Sequence, residues 1–554
     1  MTTLVLRNGH VFTSDAAGSG ATAVAVRDGV IVAVGGDAEV APYLRDVDDV
    51  VDLRGRMLLP GFVDAHVHPV MAGLERNRCD LSELTDLSGY RAAVSAFVED
   101  HPDAEWIRGG GWSMEAFAHG LPHRDQLDDV SGGRPAYFPN RDHHSGWANS
   151  AALARARIDR STPDPADGRI ERDADGEPTG ALHEGAMHLV ERVLPPETQQ
   201  EFDDALRTAL AYLHARGITG WQDAWVETDL GRPGVHAAYL RAAAGGWLTA
   251  RVSTALWWER STPVDRVEQE VRRLARIRDD TNALGLDRYD VHSVKIMQDG
   301  VAETFTAAML EPYLDACGCP TDNSGIAFLP PELLTRVVGA LDAAGFQVHV
   351  HALGDRAVRD ALDAIEHART TNGTADRRHQ LAHLQVVDPA DVPRFAALGV
   401  TANLQALWAC HEPQMDELTI PFLGESRASL QYPFADLFRS GATLAMGSDW
   451  PVSSPHPMQA IHVAVNRFEP GRPAGSPPLV DGQQLALATA LRSYTAGSAW
   501  VNRREQRTGT LRVGADADLV VLDRDPFSVP AHEIGDVGVD RTYVGGELVH
   551  AADE

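Results

Sequence analysis

The chain has 554 residues, 44% hydrophobic and 23% charged, with 49 Gly and 32 Pro, a globular composition that excludes collagen-like, low-complexity and small disulfide-stapled folds. Its 49 basic against 79 acidic residues leave a net charge of −30, which repels a nucleic-acid backbone or an anionic membrane surface. Cys79, Cys317, Cys319 and Cys410 form no CxxC pair and MTTLVLRNGHVFT carries no basic-then-apolar leader, so a cytoplasmic protein without nucleic-acid or membrane partners is expected.

The first elements alternate apolar and polar residues between Gly turns: TLVLRNGHVFT, ATAVAVRDGVIVAVG and DVVDLRGRMLLPG. That is a β-meander. The tail repeats the idiom in GTLRVGADADLVVLDRD and DVGVDRTYVGGELVH. Each end alone has too few strands to stand independently. Residues 1–57 and 503–554 are therefore expected to form one composite β-sandwich.

Between these ends, strand-like runs alternate with amphipathic helical stretches. GITGWQDAWV, VHSVKIMQDG, FQVHVHALGD, RHQLAHLQVV, VTANLQAL and ATLAMGSDWPV are the runs; PELLTRVVGALDAAG and DRAVRDALDAIEHAR are helical examples. Repeated β then α indicates an α/β fold with a parallel sheet, open or closed. A closed barrel of eight units spends about 31 residues on each.

Several chemistry-bearing residues sit at or near the ends of these runs. GFVDAHVHP places His66 and His68 two apart, hence on one face of a strand and able to reach one metal. Downstream come Lys295 in VKIMQDG, His351 in VHVHALGD, His383 in LAHLQ and Asp449 in MGSDWP. Singly, each has a plain alternative as a core histidine or a capping acid. In a barrel the strand ends converge on one face, where active sites lie.

The spacing assigns strands. His383 follows His351 by 32 residues, Asp449 follows His383 by 66, and Lys295 precedes His351 by 56. At about 31 residues per unit, these are consecutive strands, a skipped strand, and one unit with a long loop around CGCPTDNSG. The 227 residues from His68 to Lys295 exceed three units and imply an insertion at about 79–190. The ligands then fall on strands one, four, five, six and eight. His349, on the face of His351, reads as deeper barrel filling, and Cys317 with Cys319 as incidental loop chemistry.

Lys295 is the sole lysine; the other 48 basic residues are arginines. A GC-rich coding bias replaces lysine wherever charge alone matters. It spares a site that needs an amine with an accessible neutral form, which guanidinium cannot provide. A buried lysine paired with Asp299 or another acid is the plain alternative.

HxH, one Lys, two later His and a final Asp, inside a barrel flanked by a split sandwich, resemble the amidohydrolase superfamily. WIRGGGWSMEAF, RDHHSGWANSAAL, DADGEPTGALHE, HALGDRAV and GSDWPVSSPHP resemble its amidohydrolase-3, or YtcJ-like, branch across essentially the whole chain. One departure is Ala382, where many relatives carry Glu before the strand-six histidine. The resemblance implies a (β/α)8 TIM-type barrel over 58–502, with the composite sandwich and the insertion after strand one.

It further implies two divalent ions, zinc being the expectation, since nitrogen and oxygen donors without thiolate suit it. A CO2-derived carbamate on Lys295 would bridge them. His66, His68, Lys295 and Asp449 would hold one ion; Lys295, His351 and His383 the other. Metal-activated hydroxide would attack, with Asp449 as general base and proton donor to the leaving nitrogen. Trp112, His144 and Trp147 are candidates to cover the site and touch substrate; otherwise the tryptophans are core and His144 a hydrogen-bonding partner. The expected substrate is a small linear amide, N-formyl or N-acyl, cleaved at its C–N bond. Deamination of a cyclic amidine and a catalytically silent metal-stabilised binding protein are the rivals, and a homodimer is left open.

Overall fold

The computed structural model describes residues 2–15, 20–45, 47–227 and 233–552. Eight parallel strands form its centre: β1 (Phe62–Val67), β2 (Ile218–Val226), β3 (Arg251–Trp257), β4 (Tyr289–Met297), β5 (Gln347–Ala352), β6 (Gln380–His383), β7 (Thr401–Leu404) and β8 (Thr443–Met446). Each pairs with the next in chain order. Hydrogen bonds of the segment after β8 bring the ring round to β1. The Asp449 amide donates to the His66 carbonyl at 2.7 Å, and the His68 amide to the Trp450 carbonyl at 2.9 Å. This is the TIM-type α/β barrel that the β–α alternation and spacing indicate.

Strand and helix chemistry explain the layering. In β5, Gln347, His349 and His351 share one face, and Val348 and Val350 the other. The valines join the main core, together with Val358, Leu362 and Ile365 of the helix Asp355–Asn372. Thus apolar residues glue strands to the outer helices, while the ring interior carries polar groups.

The chain leaves the barrel after β1 to build a six-stranded sheet, in the order Gly168–Arg172, Pro178–Glu184, Ser145–Ala148, Ala136–Pro139, Ile107–Gly110 and Cys79–Asp80. It has its own aromatic core of Tyr90, Trp112, Phe117, Phe138 and Trp147.

Both termini meet in a further pair of sheets. One contains Thr3–Arg7, Ala23–Arg27, Val30–Gly35 and Asp49–Asp52; the other contains His10–Val11, Met57–Pro60, Leu519–Leu522, Val539–Val544 and Glu547–Ala551. Leu4, Leu6, Val24, Leu58, Leu519 and Val521 share one core. Met57–Pro60 pairs antiparallel with Leu519–Leu522, so a boundary drawn at residue 57 cuts through a strand. Alternation explains why: Leu58 faces the sandwich core, whereas Met57 and Leu59 belong to the barrel core. Among the described residues, no helix is long and apolar enough to cross a membrane.

Candidate active site

The ends of β1, β4, β5 and β6 and the turn after β8 deliver His66, His68, Lys295, His351, His383 and Asp449 to the floor of one cavity of about 720 Å³. All six are buried. The His68 Nε2 lies 2.9 Å from Asp449 Oδ1, and His66 Nε2 lies 3.3 Å from the same oxygen. Donor atoms of these three residues lie within 4.8 Å of one another. The His383 ring sits 4.4 Å from that of His351 and 4.8 Å from that of His66. Lys295 Nζ is 3.1 Å from His66 Nε2.

The unmet valences of the donor set fit a divalent cation. His68 Nδ1 and both ring nitrogens of His383 are buried without a hydrogen-bond partner. An orphaned buried polar atom costs about 1–3 kcal/mol, and a bare imidazole nitrogen among these is one that a cation can satisfy. Backbone strain falls on the same residues. His383 has φ +82° and Asp449 φ +58°, left-handed conformations that cost non-glycine residues about 1–3 kcal/mol and cluster at functional sites.

Electrostatics follow the burial. Burial pulls the Lys295 amine down to about 8, against the attraction of Asp449 and Asp223. Burial also pushes Asp449 upward, but His68, His383 and Lys295 outweigh it and hold the carboxyl at about 2, so it is ionised at neutral pH. Burial drives His66, His351 and His383 well below the ordinary imidazole value. Neutral imidazole is the form that can ligate.

Two carboxylates brace the floor from behind. Asp64 accepts from the amides of His66 and Ser448 at 3.1 and 3.0 Å, tying β1 to the turn that carries Asp449. Asp299 accepts from His351 Nδ1 at 2.9 Å and from the amides of Leu353, Gly354 and Ala308 at 3.1, 2.9 and 3.0 Å. Burial pushes Asp299 up to about 7 against the pull of these amides. Three of these partners are backbone amides that can only donate, an arrangement that favours the ionised form, to which His351 Nδ1 donates in turn. The bond to Nδ1 leaves Nε2 of His351 for the cavity.

Above the floor, Trp225 and Trp257 stack with ring centroids 4.4 Å apart and line the cavity. Trp408 lies parallel to His383 at 5.1 Å. The insertion contributes His144, whose Nδ1 meets Glu184 Oε1 at 2.8 Å and whose ring is 5.6 Å from that of His351.

The profile of the Amidohydrolase family (Amidohydro_3) matches residues 49–550. The chain belongs to the amidohydrolase family. The putative amidohydrolase YtcJ of Bacillus subtilis is 31% identical over 99% of each chain. The N-substituted formamide deformylase of Arthrobacter pascens is 28% identical over 99% of this chain and 98% of that one. An uncharacterized metal-dependent hydrolase from Pyrococcus horikoshii superposes with a TM-score of 0.73 at 23% identity, covering 96% of this chain and 99% of that one. This last likeness is one of fold.

This amidohydrolase is a hydrolytic enzyme whose ligand cluster suits a divalent ion. Its structure redistributes several of the residues singled out in the sequence. Trp112 and Trp147 do not line the cavity. They pack against Phe117 and Phe138 inside the insertion, and their indole N–H groups bond the carbonyls of Phe138 and His123. The substrate contact expected of them is corrected accordingly: fully buried indoles with satisfied donors have nothing to offer a ligand. His144 does line the cavity. Lys295 makes no ion pair with Asp299, whose oxygens are taken by four other donors. His349 lies below the floor, with Nε2 2.8 Å from His66 Nδ1. Asp299, the alternative acid partner of Lys295, braces His351 instead, and Asp64, two before His66 on its strand face, carried a period-two signal of its own.

Proposed function

We propose that this amidohydrolase cleaves the C–N bond of a linear N-formyl or N-acyl amide, with two divalent ions, zinc the best fit, bridged by a carbamate on Lys295. His66, His68 and Asp449 would hold one ion, His351 and His383 the other. When bound, the ions supply Lewis acidity and bring the pKa of water near neutrality.

The observation that carries this reading is the placing of Lys295. A buried amine, brought to about 8 and facing an imidazole rather than an acid, has the neutral fraction that reacts with CO2. Its nitrogen gains a carboxylate and loses a proton to solvent. The product would be an anionic ligand with two oxygens beside His66. Asp449, ionised and 2.9 Å from His68, accepts the proton of the attacking water and returns it to the leaving nitrogen, a role contributing about 10²–10⁴-fold. The Trp225–Trp257 wall receives an apolar substituent of the amide, and His144, steadied by Glu184, faces it across the cavity.

Elemental analysis paired with turnover tests the proposal. Protein assayed against N-formyl amines, N-acyl amines and cyclic amidines is expected to hold two equivalents of metal and to turn over a linear amide. A fully active one-metal enzyme, or turnover of cyclic amidines alone, overturns it.

A further inference from the structure

The interior of the barrel beneath the metal ligands is filled by amides rather than by aliphatic side chains. Gln222 of β2, Ser293 of β4, Gln347 of β5, Gln380 of β6 and Asn403 of β7 are all buried there. They form one connected hydrogen-bond network, and three backbone carbonyls fix its direction, because a carbonyl only accepts.

Gln347 Nε2 donates to the carbonyls of Arg378 and Val501, at 2.7 and 2.9 Å. Its Oε1 is therefore the end facing the ring interior. Asn403 Nδ2 donates to the Ala65 carbonyl at 2.9 Å and to Gln380 Oε1 at 2.8 Å. Gln380 must then present Nε2 to Gln347 Oε1, 3.1 Å away, and to Gln222 Oε1, 2.7 Å away. Gln222 is oriented in turn: its Nε2 donates to Gln347 Oε1 at 3.2 Å, and its Oε1 points at His349.

That oxygen lies 2.6 Å from His349 Nδ1. An amide oxygen cannot donate, so His349 carries its proton on Nδ1. Its ring is buried and, among the described residues, its nitrogens meet only Gln222 and His66, with no carboxylate to hold a second proton. His349 Nε2 is consequently a bare acceptor, and the His66 Nδ1 facing it at 2.8 Å must be the N–H. The remaining nitrogen of His66, Nε2, is left as a lone pair aimed at Lys295 and Asp449.

We propose that His349, oriented by Gln222 and Gln380, is a positioning residue that fixes the tautomer of His66 and so presents its bare Nε2 to a metal before any metal arrives. The inference rests on the reading of His66 as a ligand. Without the relay, a metal-free His66 would share its proton between both nitrogens, and binding would first have to move it. Outer partners of ligating histidines contribute about 10–100-fold to metal affinity.

Two substitutions separate this role from packing. His349→Phe keeps an aromatic ring of similar bulk and removes both polar contacts. His349→Gln loses the ring but keeps one acceptor and one donor in the same polarity. Packing alone favours Phe; tautomer control favours Gln. Zinc affinity of refolded metal-free protein, measured by chelator competition, is expected to fall about 10–100-fold in His349→Phe and about threefold or less in His349→Gln. Equal losses in the two, or no loss in His349→Phe, overturn the proposal. Should His349→Phe fail to fold, Gln222→Met, which removes the acceptor that orients His349, takes its place against His349→Gln, with the same two outcomes.

Neutron diffraction from metal-free crystals reads the tautomer directly. Deuterium on His66 Nδ1 is expected, and deuterium on Nε2 overturns the relay. His66→Ala distinguishes the levels of failure. If it retains full zinc affinity, the ligand reading falls and the proposal with it; if it loses zinc while His349→Phe does not, the relay falls alone.

Discussion

Asp299 offers the sharpest test of how the floor is held. Each of its oxygens accepts two bonds: Oδ1 from His351 Nδ1 and the Leu353 amide, Oδ2 from the Gly354 and Ala308 amides. In Asp299→Asn the new NH2 must replace one oxygen. Placed at Oδ2, it would face two backbone N–H groups that cannot change. Placed at Oδ1, it faces only one, from Leu353, because the His351 ring can move its proton to Nε2 and accept at Nδ1. The second arrangement wins, leaving one orphaned amide, about 1–3 kcal/mol. Asp299→Ala orphans three backbone amides. Both variants discard the buried charge, so its desolvation cost cancels between them. The difference reads the two additional orphans, about 2–6 kcal/mol. Guanidinium unfolding of the metal-free variants, followed by tryptophan fluorescence, measures it. The Asn variant is also expected to bind metal about 10–100-fold more weakly, since its His351 now points an N–H into the cavity. An Ala variant within about 1 kcal/mol of the Asn variant, or an Asn variant with native metal affinity, would refute this account of the bracing.

Asp449→Asn is expected to keep much of its metal, since the amide oxygen still ligates, and to lose about 10²–10⁴-fold in kcat; native kcat in metal-replete protein would move the proton transfer elsewhere. Lys295→Ala should lose both metal and activity, with partial return of both on adding a short carboxylic acid and zinc; full activity without rescue would remove the carbamate from the scheme. Stability should also depend on pH through His214, which burial holds at about 4 against an ordinary value of about 6.5. The unfolded chain binds a proton there and the folded one does not, so stability is full above about 6.5 and falls as pH drops toward 4, by about 3 kcal/mol for this group. Unfolding curves of wild type and His214→Gln at both pH values check it, and an undiminished pH slope in the variant would assign the loss to other groups.

What could be read from the chain followed from periodicity and arithmetic. Period-two spacing put His66 and His68 on one strand face, and the 32-residue step from His351 to His383 matched one β/α unit, so the barrel and its strand order were legible. Lys295 stood out through composition alone. The amide network was not legible for a geometric reason. Asn403 bonds Ala65 across 338 residues and His349 bonds His66 across 283; such pairs meet only because the ring closes. A lone glutamine on a strand carries no signal of its partner. Trp112 and Trp147 show the opposite failure: bulk and aromaticity serve a core and a pocket wall equally, and the neighbouring Phe117 and Phe138 decide which.

Two of the four floor histidines, His66 and His351, are steadied by opposite means, and crowding of charge explains the difference. His351 is backed by an anion, Asp299, whose charge three backbone amides share. His66 has no such freedom. Asp64 already accepts from its amide, and Asp449 lies 3.3 Å from its Nε2. Burial pushes Asp64 up to about 7, and the charge of Asp449 adds to that rise. A further carboxylate behind His66 would place three anions around one ring in a dry interior, where unpaired charge is costly. A neutral imidazole backed by amides delivers the same instruction, a proton held on Nδ1, without adding charge. That instruction originates at the carbonyls of Ala65, Arg378 and Val501, groups whose polarity no side-chain rotation can reverse, so the orientation of His66 is anchored in the backbone of the barrel itself.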